Sequence, residues 1–513
     1  MTLPSLRKRK LHEGINVPIS AVSLGLGLLI FFLVWWILSA TFGVLFRRQE
    51  TPSSDPTGSF WSVGSAFTTA DNSRFANGEL ELVRNQAAIL QRQYLLQFAP
   101  PTAQSTTTRR RRVILSGPHD RFNFGDLLFE KVVSKLLKDV AGFKSSDIIV
   151  AGMMDINMSE YGGHPHVISI KKAIQWSHDD VMKHNGKGPY NVVYLGGQMS
   201  GTTVHDGVSM ILTEKVKARA RRNSVTSCAY MFPKELLLPE SLRNVEETKQ
   251  QQQPPIAVVN GVNMRFTEPN CTRAMQQADF VAFRDYNPNP PLSEKVPHAV
   301  SGPDCAVMVN YLFHDKLTFY GQRNDGEVSQ IRRIYPNGYL AVQLNKHILH
   351  KASAETLGKT FDQIHHKVHL PVVFFRAANI PFHDSLEVLK NIQSHMTTPS
   401  QIFETEHVWY IVALIRYAKA VVGTSLHVRI MAFVHAKPRV TFCGQKYLDF
   451  IRLWDAKDAT PCINHVNETL PALLHGINTP AELTYLAQAK AIQTYMEGFR
   501  KWSSLLLQTT DDQ

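Results

Sequence analysis

Short runs of Val, Ile and Leu that end in glycine or a polar turn, alternating with helical patterns, constrain this chain most. From Val113 they read VILSG, LLFEKVVSKLLKDV, DIIVAG, IKKAIQW and YNVVYLGG, followed later by PIAVVNG, ADFVAFRD and CAVMVN. Near-continuous apolar strands separated by helices predict parallel sheets covered by helices. A second series starts near Gly338 with YLAVQLN, a helix over 353–366, LPVVFFRA, helices over 385–395 and 406–418, and the strand AVVGT. Two such series predict an α/β protein with two Rossmann-like domains, 113–335 and 336–480, facing a cleft in a GT-B-like arrangement. Residues 481–513 form a C-terminal helix and tail; the amphipathic segment 481–507 suits packing back across both domains.

The N-terminus reads differently. Residues 17–46 carry no charged side chain, and a membrane span needs about 20 apolar residues. Arg7, Lys8, Arg9 and Lys10 precede this segment and only Arg47 and Arg48 follow it closely. The expectation is a single uncleaved transmembrane anchor at 17–46, a cytoplasmic tail at 1–16 and the rest in the secretory lumen. Residues 47–112, rich in Ser, Thr, Pro, Asn and Gln, read as a stem. Sequons at Asn157, Asn270 and Asn467 agree with a lumenal placement.

Ten of the positive charges lie in three runs, at 7–10, 47–48 and 109–112, so the net +12 falls to +2 elsewhere. The excess flanks the apolar segment and closes the stem, which argues against a nucleic-acid partner. Five cysteines permit at most two intrachain disulfides, of unreadable pairing, and no Cys/His spacing indicates a metal site.

Ligands of parallel α/β sheets bind beyond the carboxyl ends of the strands, which selects particular loops. After VILSG stand Asn123, Gly125 and Asp126; Asp126 suits either a helix cap or an acceptor-side base. After VVYLGG, with Gly196 and Gly197, come His205 and Asp206. Arg284 ends a strand, and Asp304 lies in an SGPD loop, pointing to the cleft or capping. Thr424, Ser425, Leu426, His427 and Arg429 open the last helix of the series, where a histidine can titrate near neutral pH.

In this order the loops resemble those of the polysaccharide pyruvyl transferases. The resemblance rests on NFGD (123–126), YLGGQ (194–198), VVNGV (258–262), AFRD (282–285), GPDCAVM (302–308) and AKAVVGTSLHVRIMAFVHAKPRV (418–440). It implies transfer of a pyruvyl group from phosphoenolpyruvate to a terminal sugar, in particular galactose, of a glycan or polysaccharide, forming a cyclic ketal. It implies no metal or other cofactor, and donor binding by Arg284, Ser425, Leu426 and His427. With the anchor it implies a Golgi type II membrane protein whose partners are phosphoenolpyruvate and the acceptor glycan. His427 would bind donor and move a proton, with His205 or Asp126 as acceptor-side base. Serine at 425 stands where many members carry arginine, so another cation is expected there: Arg429 first, otherwise Lys437 or Arg376. The alternatives are a nucleotide-sugar-dependent GT-B glycosyltransferase and an inactive anchored glycan-binding protein.

Overall fold

A computed structural model describes residues 111–184, 188–211, 213–243, 254–263, 268–285, 295–456 and 461–507. The expected tail, span and nearly all of the stem lie outside the described residues. Among those that are described, no helix is long and apolar enough to cross a membrane.

The first series forms seven parallel strands: β1 (Val113–Ser116), β2 (Ile148–Gly152), β3 (Ile168–Ser169), β4 (Asn191–Leu195), β5 (Ala257–Val262), β6 (Phe280–Phe283) and β7 (Val300–Ser301). Their order is β3-β2-β1-β4-β5-β6-β7. The second series forms β8 (Leu340–Gln343), β9 (Val372–Phe375), β10 (Ser400–Phe403), β11 (Ala420–Gly423), β12 (Arg439–Phe442) and β13 (Cys462–Ile463), in the order β10-β9-β8-β11-β12-β13. Both are doubly wound, and each order reverses once, between β1 and β4 and between β8 and β11. The register pairs Ile114 with Val192 and Val421 with Ala341, so the apolar runs stack across the sheets. Strands buried on both faces need no alternation of apolar and polar residues, which is why the pattern was continuous.

Each apolar side chain so buried contributes about 1.5–3 kcal/mol. One continuous core joins both halves, running from Val113, Leu128 and Phe129 through Val307 and Met308 to Val428 and Phe433. Helix α1 (Phe124–Asp139) follows β1, α2 (Val204–Ser209) follows β4, and α3 (Leu426–Val434) follows β11. Helix α4 (Ala481–Leu507) touches both halves: Asn260 of β5 donates to the Tyr495 hydroxyl at 3.0 Å, and Gln488 donates to the Phe433 carbonyl.

Two details refine the sequence reading. Arg112, assigned to the stem, belongs to the first domain: its carbonyl accepts from Asn191 N at 2.8 Å and its Nη1 donates to the Tyr190 hydroxyl. The cysteines pair as Cys228–Cys271 and Cys443–Cys462, leaving Cys305 as a buried thiol.

Candidate functional site

Four loops selected from the sequence converge between the domains. Asn123 caps α1 by accepting from Gly125 N at 3.2 Å, which places Asp126 in the first turn of the helix. Gly125 lies directly against His427: a β-carbon there would stand 2.0 Å from His427 Nδ1. Only glycine permits that approach. Gly196 and Gly197 close the β4 loop with φ of 62° and 68°, the left-handed region, and a β-carbon on Gly197 would meet Asp126 Oδ1 at 3.3 Å.

Asp304 joins the remaining pieces. Its Oδ1 accepts from Ala306 N at 3.0 Å, and its Oδ2 accepts from Arg284 Nη1 at 2.6 Å. The same Oδ2 lies 3.4 Å from His427 Nε2. Capping and ion pairing are thus roles of one carboxylate. Burial works to raise its pKa, but the hydrogen bond and charge of His427, with Arg284, outweigh burial and hold it at about 2. Asp126 goes the other way. Burial pushes it up to about 6, despite the opposing charges of His427, Arg121 and Arg284. Two buried carboxylates in one cluster therefore sit on opposite sides of the usual range, an arrangement suited to acid–base work.

The face of His427 is fixed by aromatic edges, Phe129 at 5.2 Å and Phe124 at 6.3 Å between ring centroids. Ser425 begins α3 with no side-chain capping bond, and Leu426 is buried apolar packing. The Trp454 indole donates to the Arg284 carbonyl at 2.9 Å and so fixes the AFRD turn from the second domain.

Three expectations are corrected. Arg429 is fully buried and bound to Asp455 (2.7 and 2.9 Å) and Thr441 (2.8 Å), while Arg439 grips the same carboxylate. It braces α3 and is not the cation beside Ser425. Of the other two candidates, Arg376 lies 2.8 Å from Glu406, and Lys437 lies past the far end of α3. His205 is solvent-exposed on α2, outside the buried cluster, whereas Asp126 lies within it. Asn157 and Asn467 are exposed, whereas Asn270 is partly buried and donates to Ser227 Oγ at 2.6 Å.

Sequence reasoning missed the PHDR segment. Arg121 is buried, donates to the Gly207 carbonyl at 2.8 Å and to Asp120 at 3.1 Å, and lies over the Tyr230 ring. It is a cation whose charge reaches Asp126. The buried Tyr230 hydroxyl and His119 Nε2 have no hydrogen-bond partner among the described residues. His119 Nδ1 lies 3.3 Å from the Asp126 carbonyl. The available signal was an arginine and a histidine a few residues ahead of a glycine turn.

Two Rossmann-like domains that share one buried acid–base cluster at the carboxyl ends of both sheets define a GT-B-like protein. No family model matches the chain, and no curated protein matches it. Solved structures with a similar course include a UDP-N-acetylglucosamine 2-epimerase from Rickettsia bellii, 9% identical over 79% of this chain and 100% of that one, TM-score 0.43. The UDP-GlcNAc 2-epimerase from Neisseria meningitidis bound to UDP-GlcNAc is 10% identical over 77% and 99%, TM-score 0.45. A UDP-forming trehalose-phosphate synthase from Burkholderia xenovorans is 12% identical over 78% and 98%, TM-score 0.39. The expected membership of the polysaccharide pyruvyl transferases is overturned: the family comparison returns no match, and these structural neighbours are of other kinds. Strand-end loops recur wherever a βα turn needs glycine and a cap, so motifs this short carried fold information and not lineage.

Proposed function

We propose that this chain is a GT-B-type sugar-modifying enzyme that takes a nucleotide-activated sugar as donor and a glycan hydroxyl as acceptor. The observation that carries this reading is the convergence of Asp126 and His427, on the loops after β1 and β11 where the two strand orders reverse, with Arg284 and Asp304 from the loops after β6 and β7. Crevices at such reversals hold ligands with phosphate groups in open α/β sheets. The start of α3, where Ser425 makes no capping bond, offers N–H groups to a diphosphate. His427 and Arg284, ordered by Asp304, stand where negative charge grows on the departing phosphate. Asp126, ionised above about pH 6, takes the proton of the acceptor hydroxyl. Atoms balance: the anomeric carbon exchanges its bond to phosphate oxygen for one to the acceptor oxygen, and the proton leaves on Asp126.

We place this domain in an oxidising secretory compartment, consistent with the Golgi lumen. Two disulfides support the placement, since such bonds persist there and are rare in cytosol.

The test uses the full chain in detergent with UDP-N-acetylglucosamine, UDP-glucose, UDP-galactose and GDP-mannose, each with and without a β-galactoside. Nucleotide release and the acceptor mass are followed. Acceptor-dependent nucleotide release lost in His427→Gln is the expected result. Phosphate release from phosphoenolpyruvate with no nucleotide-sugar turnover overturns the proposal, as does glycan binding without turnover of any donor.

A further inference from the structure

Outside the cluster, the loop after β9 holds an acid that neither helix capping nor core packing explains. Asp384 is buried, yet three donors reach it. Its Oδ1 accepts from Gln343 Nε2 at 2.7 Å, and its Oδ2 accepts from Ala377 N at 2.6 Å and from Ala378 N at 3.4 Å. Burial raises the carboxyl to about 7 in spite of these donors, so keeping it ionised there is costly.

Each bond leads to a different half of the site. On one side, Gln343, the last residue of β8, accepts from Thr424 N through its side-chain Oε1 at 3.0 Å and through its carbonyl at 3.1 Å. Thr424 Oγ1 in turn accepts from Asn345 N at 2.8 Å, and the Tyr447 hydroxyl donates to the Thr424 carbonyl. Ser425 and His427 follow directly. On the other side, the Ala377 carbonyl accepts from Phe124 N at 2.9 Å, and Asn379 N donates to the Phe122 carbonyl at 3.1 Å. Asn123 and Ala378 form an isolated antiparallel bridge. Phe124 opens α1, which carries Asp126 two residues later.

We infer that Asp384 is a positioning residue that sets the Asp126 loop of the first domain against the His427 loop of the second. The inference rests on reading the cluster as the catalytic centre. Asp384 acts through the bonds it accepts from Gln343 and Ala377. A carboxylate is required because it alone accepts at both oxygens; an asparagine presents an amide N–H to the Gln343 N–H₂. Gln343 must then turn over and face a donor to Thr424 N, which leaves only its own carbonyl, at 3.1 Å, holding the N–H of the residue before Ser425.

That geometry supplies its own rescue. In Asp384→Asn the remaining side-chain oxygen still accepts from Ala377 and Ala378. Adding Gln343→Glu gives a carboxylate that accepts from the newly introduced amide and from Thr424 N together, restoring every link. The wild type, Asp384→Asn and the double variant are compared at pH 8 as full chains. Expected is a fall in kcat of about 100-fold for Asp384→Asn, the cost of displacing a reacting group by about 1 Å, with donor KM little changed and kcat recovered in the double variant. In parallel, the His427 ring signal, assigned by its loss in His427→Gln, is followed by NMR of the histidine-labelled protein. It should move in the single variant and return in the double.

Wild-type kcat and an unmoved His427 signal in Asp384→Asn overturn the inference. So does a double variant that folds yet stays about 10-fold or more below wild-type kcat, a comparison that also decides the case where the single variant does not fold. If the wild type turns over no nucleotide sugar, the functional reading fails separately, and the His427 signal alone decides whether Asp384 positions it.

Discussion

His427 Nε2 stands 3.4 Å from Asp304 Oδ2, the oxygen that Arg284 holds at 2.6 Å. His427 and Asp304 come from different domains and are 123 positions apart in the chain, yet one carboxylate meets both the imidazole and the Arg284 guanidinium. Seating α3 against the first sheet brings His427 to a carboxylate that Arg284 and Ala306 N already hold within the first domain.

Asp304→Asn should therefore cost both stability and activity. Its pKa of about 2 lies below the ordinary 3.8, so its stabilising contribution is present above about pH 4 and is lost as pH falls through 2. That shift corresponds to about 2 kcal/mol at neutral pH. Urea midpoints of wild type and variant should differ at pH 7 and converge toward pH 2. Parallel midpoints across that range would show that the pair contributes nothing.

Gly125→Ala tests the contact on the other face of the imidazole. Its β-carbon would overlap His427 Nδ1 at 2.0 Å, so the ring must move. A misplacement of about 1 Å at a reacting group costs on the order of 100-fold in rate. The thermal midpoint should fall as well, since overpacking a buried contact costs about 1–3 kcal/mol and outweighs the better helix propensity of alanine. A fully active Gly125→Ala enzyme would remove His427 from the chemistry.

Much of this is legible in the sequence, for a physical reason. Strand-end loops announce themselves by glycine and by polar residues after an apolar run, so Asp126, Gly196, Gly197, Arg284, Asp304 and His427 were all selected in advance. What sequence could not show was which neighbour each side of the fully buried α3 meets. Arg429 looked like a spare cation, but its partner Asp455 lies after a later helix, and nothing near Arg429 reveals that pairing. Asp384 and Tyr230 were silent for the same reason: their roles arise from contacts between distant segments.

Asp126 should govern the pH dependence. If it is the base, kcat/KM rises with pH through about 6, and Asp126→Asn abolishes that limb. Stability runs in the opposite sense. A carboxyl raised from 3.8 to about 6 penalises the ionised folded state, so its contribution is greatest below about pH 4 and is lost as pH rises through 6. Between about pH 4 and pH 7 the melting temperature of Asp126→Asn should therefore gain on that of wild type. A gap that stays constant would mean Asp126 titrates normally and cannot be tuned as the base.

Arg429→Met separates bracing from binding. The guanidinium shares Asp455 with Arg439 in a fully buried group, and burial lowers its pKa to about 10 despite that carboxylate. Removing one partner of a buried pair costs on the order of 3–5 kcal/mol, and since Arg439 still neutralises Asp455, about 3 kcal/mol is expected. The denaturation midpoint should fall accordingly, while KM for donor, measured well below the new melting temperature, stays at the wild-type value. A raised donor KM with an unchanged midpoint would return Arg429 to the site and require α3 to turn when donor binds.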